Sequence, residues 1–181
     1  MLILAIDPGA HLGWSLQGTN TEVPEDSGIY ELGIGGVKEP LGLKLLRMQT
    51  WLEGRLLRNV IGLIAVEHAA RGSHNLDRLE EHGCYRGVIE LVAARAELDV
   101  QVVNPSMLKS WATGSGRAQK SQMMSALKTM TGLEIRDDNE ADAIWIGLFA
   151  RQTVTRGPIK PLNPKPPKRR RSKRDSQQRF L

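Results

Sequence analysis

The chain opens on an unbroken apolar run, Leu2-Ile3-Leu4-Ala5-Ile6, that stops at Asp7-Pro8-Gly9. A run that short, closed by turn residues, predicts a strand covered on both faces. A second such run spans 60–66 and ends in Glu67-His68. Residues 12–16 and 28–32 predict two further strands, separated by the turn chemistry of Pro24, Glu25, Asp26 and Ser27. Leu41, Leu45, Leu46, Met48, Leu52, Leu56 and Leu57 recur at near-helical spacing, which predicts an amphipathic helix over 41–58. A long helix is expected over 75–98, weakened in its middle by Gly83 and Gly87. Val100, Val102 and Val103 predict a fifth strand. Asn104-Pro105 supplies an N-cap and a first-turn proline for a short helix to about Trp111. Residues 113–116 read as a flexible loop and 118–130 as another helix. Asp137-x-x-Glu140 has capping-box spacing and opens a last helix through Ala141, Ile144, Ile146, Leu148 and Phe149. The order βββ-α-β-α-β-α-α-α implies an α/β fold, a meander extended by parallel strands through helical crossovers.

Charge divides the chain. Residues 151–181 hold 11 of the 25 Lys and Arg and a single acid, Asp175, a net of +10. Residues 1–150 carry 14 basic and 19 acidic residues, a net of −5. Five of the nine prolines follow Arg156, with almost no apolar residues. Such a segment cannot bury enough surface to offset ordering entropy, so 1–155 is expected to be the domain and 156–181 a disordered basic tail. No apolar run approaches the ~18 residues of a membrane span. The start of the chain has no basic region before its apolar run and does not read as a signal peptide. The single Cys84 excludes an internal disulfide and a cysteine-based zinc site, which points to a reducing, intracellular, cytoplasmic setting.

Two buried strands each end in an acid, Asp7 and Glu67. Desolvating an unpaired carboxylate is costly, so acids at buried strand tips need a reason. If the two strands are neighbours, these acids converge at one sheet edge. Asp142 lies within the last helix, beyond any capping position, and Asp138 sits four residues before it on the same side. Carboxylates gathered in this way repel unless a divalent cation neutralises them. All-oxygen ligands favour Mg²⁺, with Mn²⁺ as a substitute. Two such ions, roughly 3.5–4 Å apart, suit phosphodiester cleavage. Each acid also has a plainer reading. Asp7 begins a turn, Glu67 is an exposed strand end, Asp137 is a cap, and Asp138 is a first-turn acid on a helix dipole.

Taken together, LAIDPGxxxxG at 4–13, AVEH at 65–68, TGSGRAQKSQM at 113–123 and NEADAIWIG at 139–147 resemble the RuvC-type Holliday junction resolvases of the RNase H-like superfamily. The resemblance implies a five-stranded mixed sheet flanked by helices. It also implies a homodimer that cuts four-way and other branched DNA by paired nicks with two Mg²⁺, leaving a 5′-phosphate and a 3′-hydroxyl. Asp7, Glu67 and Asp142 match the family's metal-binding acids. The usual fourth acid falls at Asn139, so Asp138 is assigned that role, with Glu140 the less favoured substitute because residues two apart on a helix point apart. Lys109 and Lys120 match basic residues that contact DNA near the scissile phosphate. Arg117 and the backbone of Gly114 to Gly116 support the same strand. Arg86-Gly87 matches a pair in the helix that packs at the family's dimer interface. The family often has an aromatic shortly after its second acid. Here His68, Ala69, Ala70 and Arg71 follow Glu67, so the family's usual means of opening the junction is either absent or replaced by His74 or Arg71. Viral relatives with broader branched-DNA cleavage are a fair comparison.

Among the remaining candidates, His68 beside Glu67 is either a proton-transfer group or a surface histidine. His11, His74 and His82 lack ligand spacing, and Cys84 reads as helix packing. The four tryptophans read as core or subunit contacts, with Trp111, beside the glycine loop, the one candidate for DNA contact. In the tail, Lys168 to Arg174, including Arg169, Arg170 and Arg171, adds sequence-independent DNA affinity by counterion release. The same stretch also fits a nuclear-import patch. Three alternatives stay open: an RNase H-like nuclease acting on RNA or flaps, a non-catalytic junction-binding protein, and a sugar-kinase or actin-like nucleotide binder. Length disfavours the last, which needs two such domains.

Overall fold

In the computed structural model, residues 1–34, 39–68 and 76–156 are described. Their elements are β1 (Leu2–Asp7), β2 (His11–Gly18), β3 (Asp26–Glu31), α1 (Leu41–Arg58), β4 (Ile61–Glu67), α2 (Leu76–Arg95), β5 (Val100–Val103), α3 (Pro105–Thr113), α4 (Lys120–Thr131) and α5 (Asp138–Arg156). The sheet order is β3-β2-β1-β4-β5. β1 pairs antiparallel with β2, and β2 with β3; β4 lies parallel to β1, and β5 to β4. The predicted order of elements and the mixed five-stranded sheet both hold. α5 runs on to Arg156, one residue past the boundary expected at 155. The tail from 157, with Arg169, Arg170 and Arg171, lies outside the described residues, as do Arg71 and His74.

The continuous apolar run of β1 has its cause in two covered faces. Ile3 and Ala5 face a cluster built with α3, α4 and α5, whereas Leu4 and Ile6 face one built with α1 and α2. β4 divides in the same way, Leu63 and Ala65 against Ile64 and Val66. The face under α5 is made of small residues, which lets the helix lie close. A Cβ added at Gly13 would stand 2.0 Å from the carbonyl oxygen of Asn139, and one at Gly147 would stand 3.0 Å from Ser15 Oγ. Ser15, fully buried, donates its hydroxyl to the Ala143 carbonyl at 3.0 Å. These contacts hold the start of α5 over the tips of β1 and β2.

Helix ends explain where expectation and structure part. α2 runs unbroken through Gly83 and Gly87 but stops at Arg95, three residues early. Leu98 N–H donates to the Ala93 carbonyl and Glu97 N–H to the Ala94 carbonyl, with Glu97 at φ 55°. That is a Schellman cap with glutamate where glycine is usual, so no glycine marks it in the sequence. Asn104 caps α3 as expected, its side chain accepting from the N–H groups of Ser106 and Met107. α3 runs to Thr113 and ends on Gly114 in the left-handed region, at φ 77°. α4 starts at Lys120, two residues later than expected, because Ala118 is spent as a buried anchor below the loop. Asp137 caps α5, its Oδ1 accepting from Asn139 N–H at 2.8 Å. The other half of the expected capping box is replaced: the Glu140 carboxylate accepts from the Ser27 hydroxyl on β3 at 2.7 Å.

Candidate active site

β1 and β4 stay paired up to Ile6 and Val66, so Asp7 and Glu67 leave the sheet side by side. α5 crosses above and brings Asp142 to the same corner. The three carboxyls lie deep enough among protein atoms to lose hydration, and Glu67 and Asp142 border a cleft. Burial, then the charges of Glu67 and Asp142, push Asp7 up to about 8, against a smaller opposing pull from Lys120. Burial, then Asp142, push Glu67 up to about 7, opposed by Lys109. Burial raises Asp142, with Lys120 and Lys109 pulling it down. Five groups from β1, β4, α3, α4 and α5 therefore feel one another's charge.

A cleft of 190 Å³ beside this corner is lined by Glu67, Lys109, Lys120, Asp138 and Asp142 over a floor that includes Leu108, Met123 and Ile146. Asp138 and Asp142 stand one helical turn apart on its wall, as the spacing of four predicts. Asp138 is half exposed and forms an ion pair with Lys120. It lines the cleft with Glu67 and Asp142, and Asp7 lies beside these two, close enough to feel the charge of both. The Glu140 carboxylate accepts from the Ser27 hydroxyl on β3 and is not among the residues lining the cleft. Arg117 is exposed on the loop before α4. Gly114 shapes that loop through its left-handed backbone, and a Cβ at Gly116 would lie 3.1 Å from the Ser106 carbonyl oxygen.

The donor set fits a divalent cation. Every acidic donor is a hard oxygen, and the raised carboxyls are short of compensating positive charge at neutral pH. Among the described residues, no group of three or more His, Cys, Asp or Glu side chains closes around a single point. Glu67, Asp138 and Asp142 border a cleft instead, with Asp7 beside them. Mg²⁺ sites commonly have this form, with one or two carboxylates per ion and the remaining positions held by water and substrate phosphate.

Other candidates find different places. Trp111 is 2% exposed and meets Trp145 and Phe149 edge-on, at 5.8 and 5.6 Å between ring centres. It is core, which removes it as a DNA contact, because close packing of α3 on α5 needs a large ring there. Trp14 and Trp51 pack together on the opposite face under the Arg55 guanidinium, which lies 3.6 Å from the Trp14 ring centre. His68 extends the β4–β5 ladder, its N–H donating to the Val103 carbonyl at 2.8 Å. Sequence reasoning missed the floor of the cleft and the Ser27–Glu140 bond. Met123 and Ile146 carry no chemical signal, and Ser27 appears in the chain only as a turn residue.

The raised carboxyls make a pH prediction. The fold retains protons on Asp7 and Glu67 that the unfolded chain releases near pH 4, so ionisation favours unfolding. The stability linked to these groups is full below about pH 4 and is lost as pH rises toward 7–8. Melting temperature without divalent ions is expected to fall between pH 5 and 8, by stability on the order of a few kcal/mol. Added Mg²⁺ is expected to restore most of the loss at pH 8. A flat profile in chelator, or no recovery with Mg²⁺, contradicts this reading.

A mixed sheet ordered β3-β2-β1-β4-β5, with acids at two central strand tips and on the helix crossing them, defines an RNase H-like nuclease fold. The family model described as crossover junction endodeoxyribonuclease RuvC matches residues 3–149, and the chain belongs to that family. Crossover junction endodeoxyribonuclease RuvC of Heliobacterium modesticaldum is 32% identical over 165 residues, covering 87% of this chain and 98% of that protein. The protein of the same name from Chloroflexus aggregans is 31% identical, covering 85% of this chain and 94% of its own. The Thermus thermophilus RuvC structure shares the fold, with a TM-score of 0.73 at 23% identity over 90% of this chain and all of that one. T. thermophilus RuvC in complex with Holliday junction substrate gives 0.72 at 24% identity, covering 90% and 99%. No helix among the described residues is long and apolar enough to cross a membrane.

Proposed function

We propose that this chain is a metal-dependent endonuclease that resolves four-way DNA junctions by paired nicks, acting as a homodimer with two Mg²⁺ per site. One observation carries the reading. Three carboxyls from β1, β4 and α5, far apart in sequence, meet at one corner where burial raises all three, the charges of their acidic neighbours push Asp7 and Glu67 higher still, and two lysines pull against the shift. Asp7, Glu67 and Asp142 would hold the ions, with Asp138 as the fourth ligand at the rim. Ions bound there would activate water and stabilise the leaving oxygen of the phosphodiester.

The other residues bind and orient the strand. Lys109 and Lys120 border the cleft from α3 and α4, where their charges meet a phosphate lying over the acids. Lys120 then exchanges Asp138 for a phosphate oxygen, a swap of one charge-assisted contact for another. Arg117 and the backbone of Gly114 to Gly116 support the neighbouring phosphates. Arg71, Arg169, Arg170 and Arg171 add contacts from segments outside the described residues. The 1–155 domain carries the chemistry, and the basic tail adds affinity.

The test is cleavage of matched four-way junction, replication fork, flap and RNA–DNA substrates by the full chain, with Mg²⁺, Mn²⁺ or chelator. Paired, symmetric nicks in the four-way junction are expected, with Mg²⁺ or Mn²⁺ required. Equal or faster cleavage of flaps or RNA–DNA overturns the substrate assignment. Tight junction binding with no metal-dependent cleavage overturns the enzymatic one.

A further inference from the structure

The helix carrying Asp142 has two functional stripes. Asp138, Asp142 and Ile146 fall every four residues and line the cleft. Glu140, Ala143, Gly147 and Arg151 fall at intervals of three and four on a second stripe, which is fastened to the sheet. The Ser27 hydroxyl donates to the Glu140 carboxylate at 2.7 Å, and the Ser15 hydroxyl donates to the Ala143 carbonyl at 3.0 Å. A Cβ at Gly147 would lie 3.0 Å from Ser15 Oγ and 3.3 Å from Ala5 Cβ, so any side chain there would crowd the sheet. Arg151 Nε donates to the Thr19 carbonyl at 3.2 Å. Three of these fastenings involve β1, β2 or the turn after β2. Glu140 alone of the four reaches β3, and it does so from the first turn, nearest the acids.

A glutamate at this position has two ordinary uses. It can return to the helix cap, or it can stay in solvent as a favourable charge at the helix start. Here Asp137 already caps the helix, and the Glu140 carboxylate is held by a hydroxyl 113 residues away.

We propose that Glu140 is a positioning residue: gripped by Ser27 on β3, it fixes the rotation of the first turn of α5 and so aims Asp142 at Asp7 and Glu67. The proposal rests on the functional reading in which these acids hold the metal. The lever is short. A carboxylate about 6 Å from a helix axis moves by roughly 2 Å when the helix turns by about 20°. Mg²⁺ and Mn²⁺ tolerate ligand displacements of only about 0.2 Å. Small freedom at the first turn therefore becomes weak metal binding at the cleft, without contact between Glu140 and the ion.

The experiment uses the full chain and five variants, Glu140→Ala, Ser27→Ala, the double of these two, Glu140→Gln and, as control, Asp142→Asn. Mn²⁺ binding without DNA is measured by calorimetry, alongside the Mg²⁺ midpoint for junction cleavage. Glu140→Ala and Ser27→Ala are each expected to weaken Mn²⁺ binding and raise the Mg²⁺ midpoint by about tenfold. The double variant should be no worse than either single, because both remove one bond. Glu140→Gln keeps an acceptor oxygen for Ser27 and should stay within about twofold of the parent. Unchanged metal binding in both alanine variants, with Asp142→Asn severely impaired, overturns the positioning role and leaves the metal site standing. A lowered melting temperature without a shifted metal midpoint also overturns it, since that marks a merely structural bond. Unimpaired Mn²⁺ binding in Asp142→Asn overturns the metal site itself.

Discussion

Asp7→Asn is expected to lower Mg²⁺-dependent junction cleavage by roughly 10³-fold or more while leaving junction binding within about threefold. Asparagine keeps the volume and one acceptor oxygen but removes the charge that a cation needs. Asp7 lies at the centre of the cluster, where burial and the charges of Glu67 and Asp142 act on it together. Its removal should therefore do two things at once. Catalysis disappears, and the remaining acids repel less, so the metal-free protein melts higher at pH 8 than the parent. Loss of activity with gain of stability separates a metal ligand from a structural acid, whose removal lowers both. Glu67→Gln and Asp142→Asn should behave in the same way. Asp138→Asn should cost only about tenfold, because Asp138 sits half exposed at the rim and already has Lys120 as a partner. Quantitative nicking under single-turnover conditions, with thermal melts at pH 5 and 8, measures all of this. Cleavage by Asp7→Asn within tenfold of the parent sinks its assignment as a ligand.

Removing residues 157–181 is expected to weaken junction binding strongly at low salt and to leave cleavage at saturating protein unchanged. That segment carries nine Lys and Arg and one acid, Asp175. Every DNA phosphate that the tail neutralises steepens the slope of log affinity against log salt by about 0.9. If about half of the nine basic residues meet phosphate, deleting the tail makes the slope shallower by about 4. The deficit of the shortened chain should then shrink about 250-fold between 50 and 200 mM salt. Fluorescence anisotropy across that range, set beside single-turnover nicking, separates affinity from chemistry. An unchanged slope removes the tail from the DNA and favours the import-patch reading of Lys168 to Arg174. A lowered saturating rate makes it part of the catalytic machinery.

The split of charge along the chain links the two outcomes. The acids that suit metal binding repel phosphate, and burial worsens this by leaving them undercompensated. Lys109 and Lys120 stand where they can offset that repulsion locally, and the tail carries enough charge to offset it at longer range.

Local chemistry in the chain was enough to determine the order of the elements and the two strand-tip acids. A strand covered on both faces needs an unbroken apolar run, and its end needs turn residues, so Leu2 to Pro8 declares itself without reference to anything distant. The Asn104 cap and the Asp137 cap were legible for the same reason, since each bonds within three residues of itself. The motifs carrying the family resemblance also lie in short segments. Contacts between segments far apart in the chain were decided by tertiary packing. The neighbouring of β1 and β4 turns Asp7 and Glu67 from two turn acids into one site. Trp111 lies beside a glycine loop in sequence, yet α5 claims its ring for the core. Glu140 has the spacing of a capping box, but a stronger partner arrives from β3. α2 ends at a glutamate in a glycine conformation because Leu98 must turn back onto the core. In each case the local pattern permitted two outcomes, and packing against a distant segment selected one.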